Sequence, residues 1–135
     1  MDDSQIARVL GSVRTIAVVG CSRSIDKDAY KVPEYLQRHG YRIIPINPLT
    51  AQVLGEKSYK TASDVKDKAD MVVVFRPSEE VLQVVQDVLK MEYKPKLIWM
   101  QLGIQNAEAA KLAEENGIQV VQNKCIKIEH QRLVG

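Results

Sequence analysis

Thr15-Ile16-Ala17-Val18-Val19-Gly20-Cys21-Ser22-Arg23 reads as a strand that runs into an anion-binding loop. The apolar run Ile16 to Val19, half of it valine, suits a strand buried on both faces. The glycine at its end lets backbone N–H groups approach an anion closely. A helix is expected to follow, starting between Asp28 and Val32. Pro33 is tolerable in a first helical turn, Val32, Tyr35 and Leu36 share a face, and Gly40 stops it. Strand, glycine turn and helix N-terminus together form an anion site suited to a nucleotide. Only Gly20 of the dinucleotide fingerprint G-x-G-x-x-G is present, with Ser22 and Arg23 where further glycines would sit, so the rest of the chain has to carry the reading.

Upstream, Asp3 or Ser4 is expected to cap a helix whose Ile6, Val9, Leu10 and Val13 form a narrow apolar stripe. Downstream, Arg42-Ile43-Ile44-Pro45-Ile46 is a second strand ending in Asn47-Pro48. An NAD site places a carboxylate at this tip for the ribose hydroxyls, whereas a phosphorylated ribose would repel it. The amide and proline found here favour the phosphorylated ribose. Pro45 forfeits a ladder hydrogen bond, which implies a local break or a free N–H side. Between Leu49 and Thr61 lies a loop with a turn at Gly55, where Val53-Leu54 and Ser58-Tyr59 either form a short extra edge strand or simply pack. Thr61 or Ser63 is expected to cap a short helix over Ala62 to Lys68.

The remaining chain alternates. Met71-Val72-Val73-Val74-Phe75 is a strand closed by Arg76-Pro77, and Ser78 is expected to cap a helix with Val81, Leu82, Val84, Val85, Val88 and Leu89 inward. Lys96 to Met100 is the next strand, ending in Gln101-Leu102-Gly103. Asn106 caps an alanine-rich helix that Gly117 ends, and Ile118 to Val121 is the last strand. Such alternation without hairpin signals predicts an α/β, Rossmann-like, doubly wound domain with a mainly parallel five-stranded sheet of order 2-1-3-4-5. Ligands bind such sheets at the carboxyl ends of the strands, where Gly20 to Arg23, Asn47-Pro48, Phe75 to Pro77 and Gln101 to Gly103 converge.

With 135 residues, 45% apolar and 27% charged, the chain is expected to be one domain over 1–135 with its own core. A net charge of +2 argues against a nucleic-acid partner. The lack of a long apolar run and the acidic Asp2-Asp3 argue against a membrane span or a signal peptide, and predict a cytoplasmic protein. Cys21 and Cys125 lie far apart and form no C-x-x-C pair. With only His39 and His130 beside them, no metal cage is expected. His39, next to Gly40 at a helix end, is expected to serve the exposed carbonyls there.

The set Val19-Gly20-Cys21-Ser22-Arg23, Lys31, Gly40-Tyr41, Ile44-Pro45-Ile46-Asn47-Pro48, Gly55, Tyr59, Phe75-Arg76-Pro77, Trp99-Met100-Gln101-Leu102-Gly103 and Lys124-Cys125 closely resembles the small stand-alone CoA-binding proteins. These are relatives of the CoA-binding domain that opens the succinyl-CoA synthetase alpha subunit, and the resemblance covers nearly the whole chain. Cys21 departs from the pattern, which has a smaller residue there. The resemblance implies that Gly20, Ser22 and Arg23 hold a pyrophosphate, with Cys21 against it and Lys31 adding charge. Asn47 and Pro48 would border the adenosine and its 3′-phosphate. Phe75, Arg76 and Pro77 would wall the adenine and pyrophosphate, although Phe75 also reads as core. Gln101 and Gly103 would form the lip, and Trp99 reads as core.

Catalysis on a CoA thioester needs a base or nucleophile, and the converging loops offer no histidine and no obvious buried carboxylate. The expectation is therefore a protein that binds CoA, an acyl-CoA or CoA disulfide without turnover. An NAD(P)-linked oxidoreductase and a nucleotide-sensing regulatory module acting through a protein partner are the alternatives. Of the two thiols, Cys21 is expected to sit among N–H donors beside Arg23, which would lower its pKa. Both thiols read as small, inert, partly buried residues, with exchange against the CoA thiol as the alternative; of the two, Cys125 is favoured for exchange, because the pantetheine arm must lead away from the pyrophosphate along the strand ends.

Overall fold

The computed structural model describes residues 1–135. In chain order the elements are α1 (Asp3–Ser12), β1 (Thr15–Val19), α2 (Asp28–Arg38), β2 (Arg42–Ile46), β3 (Gln52–Val53), β4 (Glu56–Lys57), β5 (Met71–Val74), α3 (Val81–Val88), β6 (Leu97–Met100), α4 (Ala107–Glu115), β7 (Gln119–Val121) and α5 (Ile126–Leu133). Single 3-10 turns occupy Ala62–Asp64 and Ser78–Glu80.

β1 is hydrogen-bonded on both sides, and its Ile16, Ala17 and Val18 are completely buried, as a continuous apolar run demands. The five-stranded sheet has the order β2-β1-β5-β6-β7 with every pairing parallel, which is the order expected from the sequence once the small β3-β4 pair is set aside. Alternate strand residues serve two cores. Ile16, Val18 and Trp99 pack with Ile6 and Leu10 of α1, Val32 and Leu36 of α2, and Ile126 of α5. Ala17, Val72 and Ile98 pack with Val81 and Val85 of α3 and Ala109 and Ala113 of α4. Helices thus cover both faces, and the fold is Rossmann-like α/β. No helix is long and apolar enough to cross a membrane.

Pro45 sits in the edge strand with its nitrogen turned away from β1. Arg42 N–H donates to Arg14 O, and the pleat then sends every second nitrogen outward. On that outer edge Tyr59 N–H donates to Pro45 O (3.0 Å) and Asn47 N–H to Tyr59 O (2.8 Å), so Tyr59 finishes the edge with one isolated bridge. The extra edge feature is a two-residue antiparallel hairpin, Gln52–Val53 with Glu56–Lys57. It turns through Leu54 and Gly55, both at positive φ.

Several local expectations are corrected. Asp2, rather than Asp3 or Ser4, caps α1, because its carboxylate reaches Gln5 N–H while the Gln5 side chain returns to Asp2 N–H. The helix expected over Ala62 to Lys68 is one 3-10 turn. Asp87 of α3 takes the N–H groups of Ala62 and Ser63, and the chain is already extended at Val65. Ser78 does not cap α3: its hydroxyl accepts from Gln105 N–H (3.0 Å), tying the β5 and β6 tips together. α5 was not anticipated from the sequence. Pro33 lies in the sixth position of α2, beyond the first turn. His39 does serve a helix carbonyl, with its Nδ1 2.8 Å from Tyr35 O, and Asn106 caps α4 through Ala109 N–H.

Candidate functional site

The tips of β1, β2 and β5 lie side by side and are locked before any ligand arrives. Gly20 takes a φ of +82°, and a Cβ on it would stand 2.8 Å from Phe75 O. Glycine is thus required both by backbone conformation and by the close approach of the neighbouring strand end. Its N–H donates to Ile46 O (3.0 Å), so the amide expected to face an anion is spent on the sheet. Asn47 is a second lock: Nδ2 donates to Cys21 O (2.9 Å), Oδ1 accepts from Leu49 N–H (2.8 Å), and its carbonyl accepts from Ser58 Oγ.

The loop from Cys21 to Lys27 is anchored to α2. Ser22 N–H donates to Ala29 O at 3.0 Å, and Ser22 Oγ accepts from Ser24 N–H at 3.0 Å. The amides of Cys21 and Arg23 have no protein acceptor. α2 begins beside them without a side-chain cap, and the unpaired amides of Asp28 and Ala29 turn the positive end of the helix dipole towards this corner.

A cleft of about 1080 Å³ opens over these tips. Gly20, Ser22 and Arg23 form one wall with Asn47 and Pro48, and Phe75 and Arg76 form another. One face of α3 contributes Gln83, Val84 and Asp87. Around it stand Arg23, Lys27, Lys60 and Lys90, none of them in an ion pair. Arg76 is held by Glu80 (2.8 Å). The cleft carboxylates are thus engaged by protein donors, Glu80 by Arg76 and Asp87 by two backbone amides, while four cations face open space.

Beyond Phe75 a second hollow of about 480 Å³ continues along the sheet end. Phe75 borders both spaces. Lys31, Gln101 and Cys125 line the second one together with Leu102, Ile128 and Lys127. Lys31 therefore serves this hollow and not the cleft beside Arg23. Gln101 is 4% exposed and its Oε1 accepts from Ile126 N–H (2.9 Å), so it caps α5 from across the sheet.

Three residues expected at the site are placed elsewhere. Cys21 is completely buried among the α1, α2 and α5 contacts, and burial pushes its thiol up to about 12, opposite to the lowering expected from the loop's N–H donors. Its carbonyl, through Asn47, is what it gives the site. Gly103 turns away at φ +84°, with its N–H on Asn123 Oδ1 (2.7 Å), and borders neither space. Pro77 is exposed at the start of the 3-10 turn and borders neither. Trp99 is core, with Nε1 donating to Lys124 O (2.7 Å). The sequence reading missed Lys60 and Lys90, which enter from the β4–β5 connection and the end of α3, and Lys127 and Ile128 of α5.

A family model described as "CoA binding domain" matches residues 14–131. Among curated proteins, the "Uncharacterized protein YneT" of Bacillus subtilis is 35% identical over 127 residues, covering 94% of this chain and 93% of that one. An ADP-forming acetate–CoA ligase of Methanocaldococcus jannaschii is 26% identical over 121 residues, which is 85% of this chain and 17% of the ligase. Among solved structures, a hypothetical protein from Pyrococcus horikoshii is 36% identical with a TM-score of 0.93, covering 100% of this chain and 94% of that one.

Proposed function

The chain belongs to the CoA-binding domain family, and from that premise we propose that it holds coenzyme A across both spaces at the strand ends, without turning it over. The observation that carries this reading is the cleft with four unpaired cations, Arg23, Lys27, Lys60 and Lys90, continued past Phe75 by a second hollow that Leu102, Ile104 and Ile128 help to line. CoA has that division of chemistry: an anionic 3′-phospho-ADP half and a long, weakly polar pantetheine arm.

The diphosphate fits best against Arg23 and the free amides of Cys21 and Arg23, at the uncapped start of α2. Lys60 and Lys90, set further along the cleft, suit the 3′-phosphate, and Pro48 and Thr50 suit the adenosine rim. Phe75 stands where the arm would turn from one space into the other. Asn47, with its side chain committed to Cys21 O and Leu49 N–H, positions the loop and offers no carboxylate to repel a phosphorylated ribose. Holding without turnover is supported by the engagement of Glu80 and Asp87 with protein donors, which leaves no free base over the cleft.

The test is equilibrium titration of CoA against wild type and the Arg23→Glu and Lys60→Glu variants. Each reversal is expected to weaken binding by more than about 1 kcal/mol, the scale of a charge-assisted phosphate contact. Unchanged affinity in both would remove the cleft from the site.

A further inference from the structure

The second hollow contains a thiol. Cys125 lines it half-buried, at the residue before α5, and its side chain makes no capping hydrogen bond. The capping duty falls to Gln101 instead, whose Oε1 takes Ile126 N–H. That bond fixes the carboxamide's orientation. Gln101 is 4% exposed and lines the same hollow as Cys125, and its Nε2 donates to no protein acceptor. That amide group is reachable from solvent and free to meet a ligand acceptor, such as the carbonyl of an amide-bearing chain. Lys31, Lys127 and Asp28 line the same hollow.

We propose that Cys125 is a thiol–disulfide exchange site for CoA carried on a disulfide, the Gln101 carboxamide holding an amide of the pantetheine arm. The proposal rests on CoA being the ligand. The Cys125 thiol first gives its proton to solvent. The thiolate Sγ then attacks one sulfur of CoA disulfide, an Sγ–S bond forms as the S–S bond breaks, and one CoA leaves as its thiolate. No other oxidant is needed, because the disulfide is itself the electron acceptor, and a second thiol reverses the step. Cys21 takes no part, being closed inside the core.

The experiment has two arms. Reduced wild-type protein is titrated with CoA in the presence of a phosphine reductant. Separately, it is incubated without reductant with CoA disulfide or with oxidised glutathione, and its intact mass and proteolytic peptides are followed over time. Expected are reversible CoA binding in the first arm and a single CoA adduct in the second. That adduct should map to Cys125, form at least tenfold faster than the glutathione adduct, and slow when adenosine 3′,5′-bisphosphate fills the cleft. Cys125→Ser, with an unchanged circular dichroism spectrum and melting temperature, should give no adduct. CoA binding without an adduct, an adduct on Cys21, or equal rates for both disulfides would overturn the exchange site and leave CoA binding standing. Absence of CoA binding in the first arm would overturn the reading it rests on, and the proposal with it.

Discussion

The amide of Ser22 donates to the carbonyl of Ala29 at 3.0 Å, and that carbonyl is free because its helical partner would be the nitrogen of Pro33. A proline inside a helix leaves the carbonyl four residues earlier without its bond. Here the orphaned acceptor ties the anion-facing loop to α2. Ser22 N–H should therefore exchange slowly with deuterium, although it lies in a loop, while Arg23 N–H exchanges fast. In Pro33→Ala a helical N–H competes for Ala29 O, and Ser22 exchange should quicken several-fold. Equal exchange at Ser22 and Arg23 in the wild type would contradict the tether.

Gly20 and Gly40 both adopt positive φ, and they differ in what surrounds them. A Cβ at Gly40 meets nothing within 4 Å, whereas one at Gly20 presses on Phe75 O at 2.8 Å and Arg76 Cδ at 3.1 Å. Gly40→Ala should cost about 1 kcal/mol from backbone conformation alone. Gly20→Ala should cost at least about 2 kcal/mol, because strand ends must also part. Urea unfolding of the two variants compares them directly. Equal costs would mean that the β1 and β5 tips separate freely.

His130 is buried, with its Nδ1 2.7 Å from Tyr35 Oη, and the rings of His39 and Tyr41 pack against it. Burial lowers its pKa, and the neighbouring His39 lowers it further. Below about pH 6.5 the unfolded chain takes up a proton at this residue that the folded chain refuses. Stability should therefore fall as the pH drops from 7 towards 5, and the slope should shrink in His130→Gln. Asp70 adds nothing in that window. Burial alone would raise its carboxyl, but the amides of Arg14 and Thr15 and nearby lysines lower it on balance, so its contribution is lost only below its ordinary 3.8. Urea unfolding between pH 8 and pH 5 measures the slope, and a flat profile would contradict it.

What the sequence carried well was what local chemistry determines. The apolar run of β1 and the Asn106 cap are set by neighbours a few residues apart, and the strand order follows from the alternation of strands and helices along the chain. What it hid depends on distant partners. Gly20 looked like an opening for an anion, yet its need arises from Phe75 across the sheet. Asn47 looked like a ribose contact, and its side chain is occupied by Cys21 O and Leu49 N–H. Cys21 sat in a polar stretch of sequence while its side chain turned inward. α5 has no cap of its own near Cys125, because Gln101 supplies it from the tip of β6. Lys60 and Lys90 are ordinary surface lysines in sequence and meet only over the cleft.

The cleft's four unpaired cations and its lack of an acid at the β2 tip make discrimination between nucleotides the most direct measure of what this fold holds. Calorimetric titration of the reduced wild-type chain with CoA, dephospho-CoA, ADP and NADH, at fixed low salt, supplies it. CoA should bind tightest, dephospho-CoA at least tenfold more weakly for want of the 3′-phosphate, and NADH more weakly still. Dephospho-CoA or NADH binding as tightly as CoA, or no heat with CoA at all, would contradict the assignment of the cleft to the 3′-phospho-ADP half of coenzyme A.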